Sequence, residues 1–189
     1  MGLDMYLSAK RYVGGWDFSK EDEKTAYNAV MKAINKPGWR CEGSPHLEVE
    51  ASVAYWRKAN QVHAWFVENV QGGNDDCNSY EVSAEQLQEL VNLCKGVIKG
   101  SPLVEGQVVV SQTLGKGGKW IPNHRAGKVI KDPAVAKSLL PTQSGCFFGG
   151  TEYDEFYVAD LEDTIKQLEK ALEEFPEREG WSFHYQSSW

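Results

Sequence analysis

The 189-residue chain is short of the features that would bind phosphate backbones, cross a bilayer or staple a secreted fold. Its 20 Lys and Arg are outnumbered by 27 Asp and Glu, giving a net charge of −7. Binding to nucleic acid as a main activity needs a concentration of cations, so no direct nucleic-acid contact is expected. A local basic patch, or an acidic surface that meets a basic partner protein, remains compatible with that count. Cys41, Cys77, Cys94 and Cys146 are far apart, form no Cys-x-x-Cys pair and follow no charged-then-apolar leader. The expectation is four reduced thiols in a soluble, cytoplasmic protein. No apolar run approaches the ~20 residues of a spanning helix, so no membrane partner is expected.

Catalytic signatures are absent as well. There is no Gly-x-Ser-x-Gly elbow, no His-Glu-x-x-His helix and no paired-cysteine metal site. The stretch Leu114-Gly115-Lys116-Gly117-Gly118-Lys119 lacks the Gly-Lys-Ser/Thr ending of a phosphate-binding loop and reads as a flexible turn. No catalytic residue, metal or cofactor is therefore assigned.

What is present is an ordinary globular composition, 41% hydrophobic and 12% aromatic, in a chain long enough to bury roughly 70% of its unfolded surface. Seven Trp is a high number, and most of them are expected in the core. Leu3, Met5 and Leu7 alternate with Asp4 and Tyr6, which predicts a strand over Gly2 to Leu7. Ser19 and Asp22 resemble a capping box, with Tyr27, Val30, Met31 and Ile34 following at helical spacing. Leu47, Val49, Ala51 and Val53 alternate with polar residues as a second strand, and a helix is predicted from about Tyr55 to Asn69.

Ser83 and Gln86 form the next capping box, ahead of the apolar stripe Leu87, Leu90, Val91, Cys94 and Val97, and Gly100-Ser101-Pro102 stops that helix. Val104 and the run Val108 to Val110 read as strand. Residues 114–141 show no regular pattern and read as an irregular loop or insertion. Val158, Leu161, Ile165, Leu168, Leu172 and Phe175 predict a long amphipathic helix, with Glu162, Lys166 and Lys170 as exposed i,i+4 contacts. Trp181 to Trp189 reads as a terminal strand in the same sheet as the first. The fold class that follows is α+β: a single domain over residues 1–189, with a small, mostly antiparallel sheet covered by three to four helices.

Three segments could carry chemistry. On a helix from Tyr55, the residues Tyr55, Ala59, Val62, Phe66 and Val70 share one arc, with Trp56, Asn60 and His63 at its edge. A polar group there either joins a core network or lies on the floor of a pocket, because leaving it unpaired costs roughly 1–3 kcal/mol. Trp56 offers a stacking face and Arg57 an anion-binding fork beside the His63 imidazole. The loop Gly72-Gly73-Asn74-Asp75-Asp76-Cys77 gathers oxygen ligands but matches no calcium loop, and Gly, Asn and Asp suit a turn for backbone reasons alone. The segment Cys146 to Tyr157 combines aromatics with Glu152, Asp154 and Glu155, acids that suit the start of a helix.

Four blocks together resemble a family of small uncharacterised bacteriophage and prophage proteins: the opening Met-Gly-Leu-Asp-Met-Tyr-Leu, Tyr55 to Val70, Phe147 to Thr164, and the closing Tyr185-Gln186-Ser187-Ser188-Trp189. The resemblance carries no established activity. It implies synthesis inside an infected bacterium from an accessory gene, and such proteins often counter host defence by sequestering a nucleotide signal or masking a host protein. The reading adopted is a non-enzymatic binding protein for a small anionic or nucleotide-like ligand, or for a host protein. The ligand-binding residues assigned are Asp4, Trp56, Arg57, Asn60, His63, Tyr153 and Asp154. Two alternatives stand beside it: a metal-assisted hydrolase using His63 with Asp4, Asp75 or Asp154, and an acidic inhibitor that mimics nucleic acid.

Overall fold

The opening alternation carries the first strand further than its clearest apolar residues indicate, and β1 runs from Asp4 to Gly14 with Met5, Leu7 and Ala9 buried on one face. The computed structural model describes residues 2–115, 118–145 and 147–189. Met1, Lys116, Gly117 and Cys146, which enter the sequence reading, lie outside them. β2 (His46–Arg57) and β6 (Ser182–Ser188) flank β1, and β3 (Tyr80–Val82) completes an antiparallel sheet in the order β2-β1-β6-β3. The first and last strands are thus direct neighbours, with Leu7 opposite Tyr185.

The ladder between β1 and β2 contains one irregularity. Leu7 pairs with Ala54 but Ser8 with Ser52, so Val53 is an extra residue in β2. A bulge of this kind reverses the side-chain phase. Before it, Leu47, Val49, Ala51 and Val53 turn inward; after it, Ala54 and Trp56 are buried while Tyr55 and Arg57 face out. Tyr55, Trp56 and Arg57, expected on a helix, form the end of this strand, and α2 begins only at Asn60 and runs to Asn69. Extended backbone with a phase slip carries no period that could be recognised locally.

α1 (Glu21–Ala33) buries only Tyr27 and Met31, against Val13 at the far end of the sheet, while Val30 and Ile34 are exposed. The Ser19–Asp22 capping box does not form. Lys20 is the N-cap and makes no side-chain cap bond, and the acids Glu21, Asp22 and Glu23 favour that end through the helix dipole. α3 (Ala84–Gly100) does carry its capping box, with Gln86 N–H donating to Ser83 Oγ at 3.2 Å and Ser83 N–H to Gln86 Oε1 at 3.0 Å. Its buried stripe is Leu87, Leu90, Val91, Cys94 and Val97, each side chain stabilising the core by roughly 1.5–3 kcal/mol where fully enclosed. Burial pushes the Cys94 thiol up to about 12. Cys41, Cys77 and Cys94 are free thiols.

α5 (Glu155–Glu174) packs along α3 and β2, and Trp56 Nε1–H donates to Thr164 Oγ1 at 2.9 Å. Glu162, Lys166 and Lys170 make no ion pair among the described residues; the helix is instead joined to α3 by Lys95 and Glu169 at 2.7 Å. The described residues of 114–141 hold regular elements instead of an irregular loop. β4 (Leu103–Leu114) and β5 (Trp120–Ile130) form a two-stranded antiparallel ribbon, followed by α4 (Ala134–Leu139). Most of the ribbon is exposed, with Val108 buried midway along β4 and Ile130 at the base, so neither face imposes an apolar alternation. Pro122 sits on a strand that has a partner on one side only, the setting in which strands tolerate proline. Among the described residues no helix is long and apolar enough to cross a membrane.

Candidate functional site

The junction between β2 and α2 is made by Lys58 in the left-handed region, φ 64°. Its N–H donates to the Leu3 carbonyl at 2.8 Å, and its carbonyl accepts from Asn60 N–H at 2.9 Å. Gly149, at φ 100°, lies directly against this turn, where a Cβ would come 2.9 Å from the Lys58 carbonyl oxygen. Only glycine permits that approach. Asn60 then laces the opposing segment to the helix start: its Nδ2 donates to the carbonyls of Gly150 at 2.7 Å and Phe148 at 3.3 Å, and its Oδ1 accepts from Gln143 N–H at 2.8 Å.

The ribbon is fastened to the same segment. Ile130 N–H donates to the Tyr153 carbonyl at 2.9 Å, and Val129 bridges Asp154. Asp154 is the N-cap of α5, its Oδ1 accepting from Phe156 and Tyr157 N–H at 2.9 and 3.2 Å. Glu155 accepts from Arg125 at 2.7 Å and from Lys128 N–H at 2.9 Å. The Tyr153 hydroxyl accepts from Thr142 N–H at 3.1 Å, and its ring meets Tyr157 edge-on at 5.1 Å and Lys137 Nζ at 5.8 Å.

Between these parts lies a cleft of about 1120 Å³, lined by Arg57, Lys58, Gln61, Lys137, Tyr153 and Asp160 among others. Gln61 is buried and donates to Asp160 Oδ2 at 3.1 Å. Burial holds the Asp160 carboxyl up at about 6; the Gln61 bond opposes this, and the nearby charges of Asp163 and Asp154 add to it.

The residues expected from sequence divide between this cleft and elsewhere. Arg57, Tyr153 and Asp154 line it, and Asn60 builds its wall. Tyr153 is tied down by its own contacts, and Asp154 is occupied as a helix cap. Asp4 faces Arg57 across the β1–β2 ladder, its Oδ1 3.9 Å from Arg57 Nε, and it also accepts from the Tyr55 hydroxyl, which raises the Tyr55 pKa. Trp56 is 3% exposed and spends its N–H on Thr164, so it offers a ligand no stacking face.

His63 is fully buried on the other side of α2, with Nδ1 2.8 Å from the Tyr185 hydroxyl and Nε2 3.0 Å from Asp75 Oδ2. Asp75 Oδ1 accepts in turn from Trp189 Nε1–H at 2.9 Å. The ligand set of the hydrolase alternative is not assembled: among the described residues no three His, Cys, Asp or Glu side chains come together as a metal site. The loop around Asp75 is a turn, with Gly72 and Gly73 at positive φ and Asp76 accepting from Asn78 and Tyr80.

Lys58, Gln61, Lys137 and Asp160 were not singled out from sequence. Asp160 sits between the core positions Val158 and Leu161, and its environment depends on Gln61, 99 residues earlier. No family model, curated protein or solved structure matches this chain.

Proposed function

We propose that this chain is a non-enzymatic binding protein that holds a small anionic, nucleotide-like ligand in the cleft between the ribbon, the β2–α2 turn and residues 147–157. The observation that carries the reading is the cleft itself, where the cations Arg57, Lys58 and Lys137 lie along the wall beside the acids Glu152, Asp154 and Asp160. Lys58 has no ion-pair partner among the described residues, and Arg57 is largely exposed with Asp4 at the outer limit of pairing distance. An anion that enters therefore meets cations not already neutralised. Phe147 and Phe156, 66% and 46% exposed, line the same cleft and supply faces on which a base can stack, worth roughly 1–3 kcal/mol per base. Sequestering a nucleotide signal would counteract a host defence without any catalytic step.

The test is a thermal-shift screen of nucleotides and cyclic nucleotides. A ligand at a hundred times its dissociation constant contributes about 2.7 kcal/mol, a rise of roughly 5–10 °C for a chain of this size. Lys58→Ala should abolish the response, whereas His63→Ala should keep it, because His63 lies outside the cleft. Absence of any shift with nucleotides or inorganic phosphate would overturn the reading.

Masking of a host protein is favoured by a different feature. Trp16 stacks between Phe18 and His46 at 5.7 and 5.8 Å, Tyr12 meets His46 edge-on, and Phe18 is 85% exposed. On that reading Phe18→Ala abolishes protection in infected cells and leaves nucleotide binding intact.

A further inference from the structure

Asp160 is a carboxyl short of donors. It is partly buried on the second turn of α5, and its one side-chain hydrogen bond comes from Gln61. An ionised carboxylate accepts about four hydrogen bonds, so this one has capacity left for a ligand's donors. No Lys or Arg of the described residues lies within ion-pair distance of it, although Arg57 and Lys58 line the same cleft from the end of β2. The groups around it are Gln61 from α2, Tyr157, Asp154 and Asp163 from its own helix, and, across the cleft, His124 of the ribbon, Lys137 of α4, and Glu152 and Tyr153. The Asp160 backbone carbonyl accepts from Thr164 Oγ1 at 2.7 Å, while its carboxyl accepts from Gln61, and both Asp160 and Gln61 line the cleft.

A ligand that brings N–H donors to this carboxylate supplies what the protein does not. Two donors side by side in one plane match its two oxygens, as in the bidentate pairing of a carboxylate with an amidine or guanidine edge. Among nucleotides, guanine presents such an edge in N1–H and the 2-amino group, hypoxanthine keeps only N1–H, and adenine has an acceptor at N1. We infer that Asp160, oriented by Gln61, reads the paired N–H donors of a guanine-type base, while Lys58 and Arg57 hold the phosphate end of the same nucleotide. This rests on the nucleotide reading of the cleft and names the ligand class within it.

Pairing of this kind requires the ionised acid. The raised pKa of Asp160 then makes affinity pH-dependent: binding is strong above about pH 6 and weakens as the carboxylate is protonated below it.

Isothermal titration of GMP, IMP and AMP at pH 7.5 and pH 5 into the full chain and into Asp160→Asn tests the inference. The expected order at pH 7.5 is GMP tighter than IMP and IMP tighter than AMP, with GMP over AMP by roughly 5–150-fold, the range of a bidentate base contact. Wild-type affinity for GMP should fall at pH 5 by more than its affinity for AMP does. Asp160→Asn should lose both the GMP preference and that pH effect. The wild-type pH profile needs no variant, so it decides the matter even if Asp160→Asn folds poorly. Equal binding of the three nucleotides, or AMP tighter than GMP, overturns the base reading and leaves the cleft as a phosphate site. No binding of any of them overturns the cleft reading together with it.

Discussion

His63 Nδ1 lies 2.8 Å from the hydroxyl of Tyr185, joining the middle of α2 to the central part of the last strand. Burial raises the Tyr185 pKa, with the Asp75 charge adding to it, so the phenol keeps its proton. Asp75 accepts from the other ring nitrogen and from Trp189, so one chain of bonds fixes α2, the 72–77 turn and the C-terminal residue.

The pocket role expected of His63 gives way to this structural one. His63→Ala leaves the buried Tyr185 hydroxyl unpaired and removes one of the two bonds to Asp75, and should lower stability by roughly 1–3 kcal/mol, a drop of about 2–12 °C in Tm by differential scanning calorimetry. Tyr185→Phe removes a single bond and should cost less. A His63→Ala protein that melts as the wild type does would contradict the network.

Asn60 makes three bonds to residues 143–150 and holds the wall of the cleft. Asn60→Ala should destabilise the chain by roughly 1–3 kcal/mol and speed hydrogen exchange at the Gln143 amide. Unchanged protection at Gln143 would show that another contact closes the segment.

Asp160 gives a pH signature opposite to that of a salt-bridged acid. Burial raises its pKa from 3.8 to about 6, so the folded state binds the proton more tightly than the unfolded chain. The resulting penalty is fully present above about pH 6 and is relieved as pH falls from 6 towards 4. Asp160→Asn should therefore raise stability at pH 7.5 by on the order of 1 kcal/mol, allowing for partial exposure, and little at pH 4. Parallel stability curves for the two proteins from pH 4 to 7.5 would rule this out.

β6 lies between β1 and β3, and the Tyr185 ring stacks on Phe66 at 3.8 Å. Deleting Tyr185 to Trp189 removes this stack, part of the ladder to β1 and the Trp189 bond, and should abolish cooperative unfolding by circular dichroism. A truncated chain with a wild-type melt would show that β6 is dispensable.

The sequence by itself determined the elements whose signal is local. The capped α3 with its five-residue stripe, the long α5, the alternation at both chain ends and the α+β class all follow from periodicity and from end signals a few residues apart. Tertiary structure decided the rest. The Val53 bulge turned Trp56 inward and Arg57 outward, and no local pattern marks it, because the phase of β2 is set by pairing with β1. The ribbon over 103–130 was unreadable beyond its first strand, because a strand pair exposed on most of both faces has no apolar face to alternate. Asn60 and His63 are both buried polar residues on one helix, as their position beside the apolar arc indicated. Which of them borders the cleft depends on partners 83 to 122 residues away, and such distant pairings are fixed only when the chain packs.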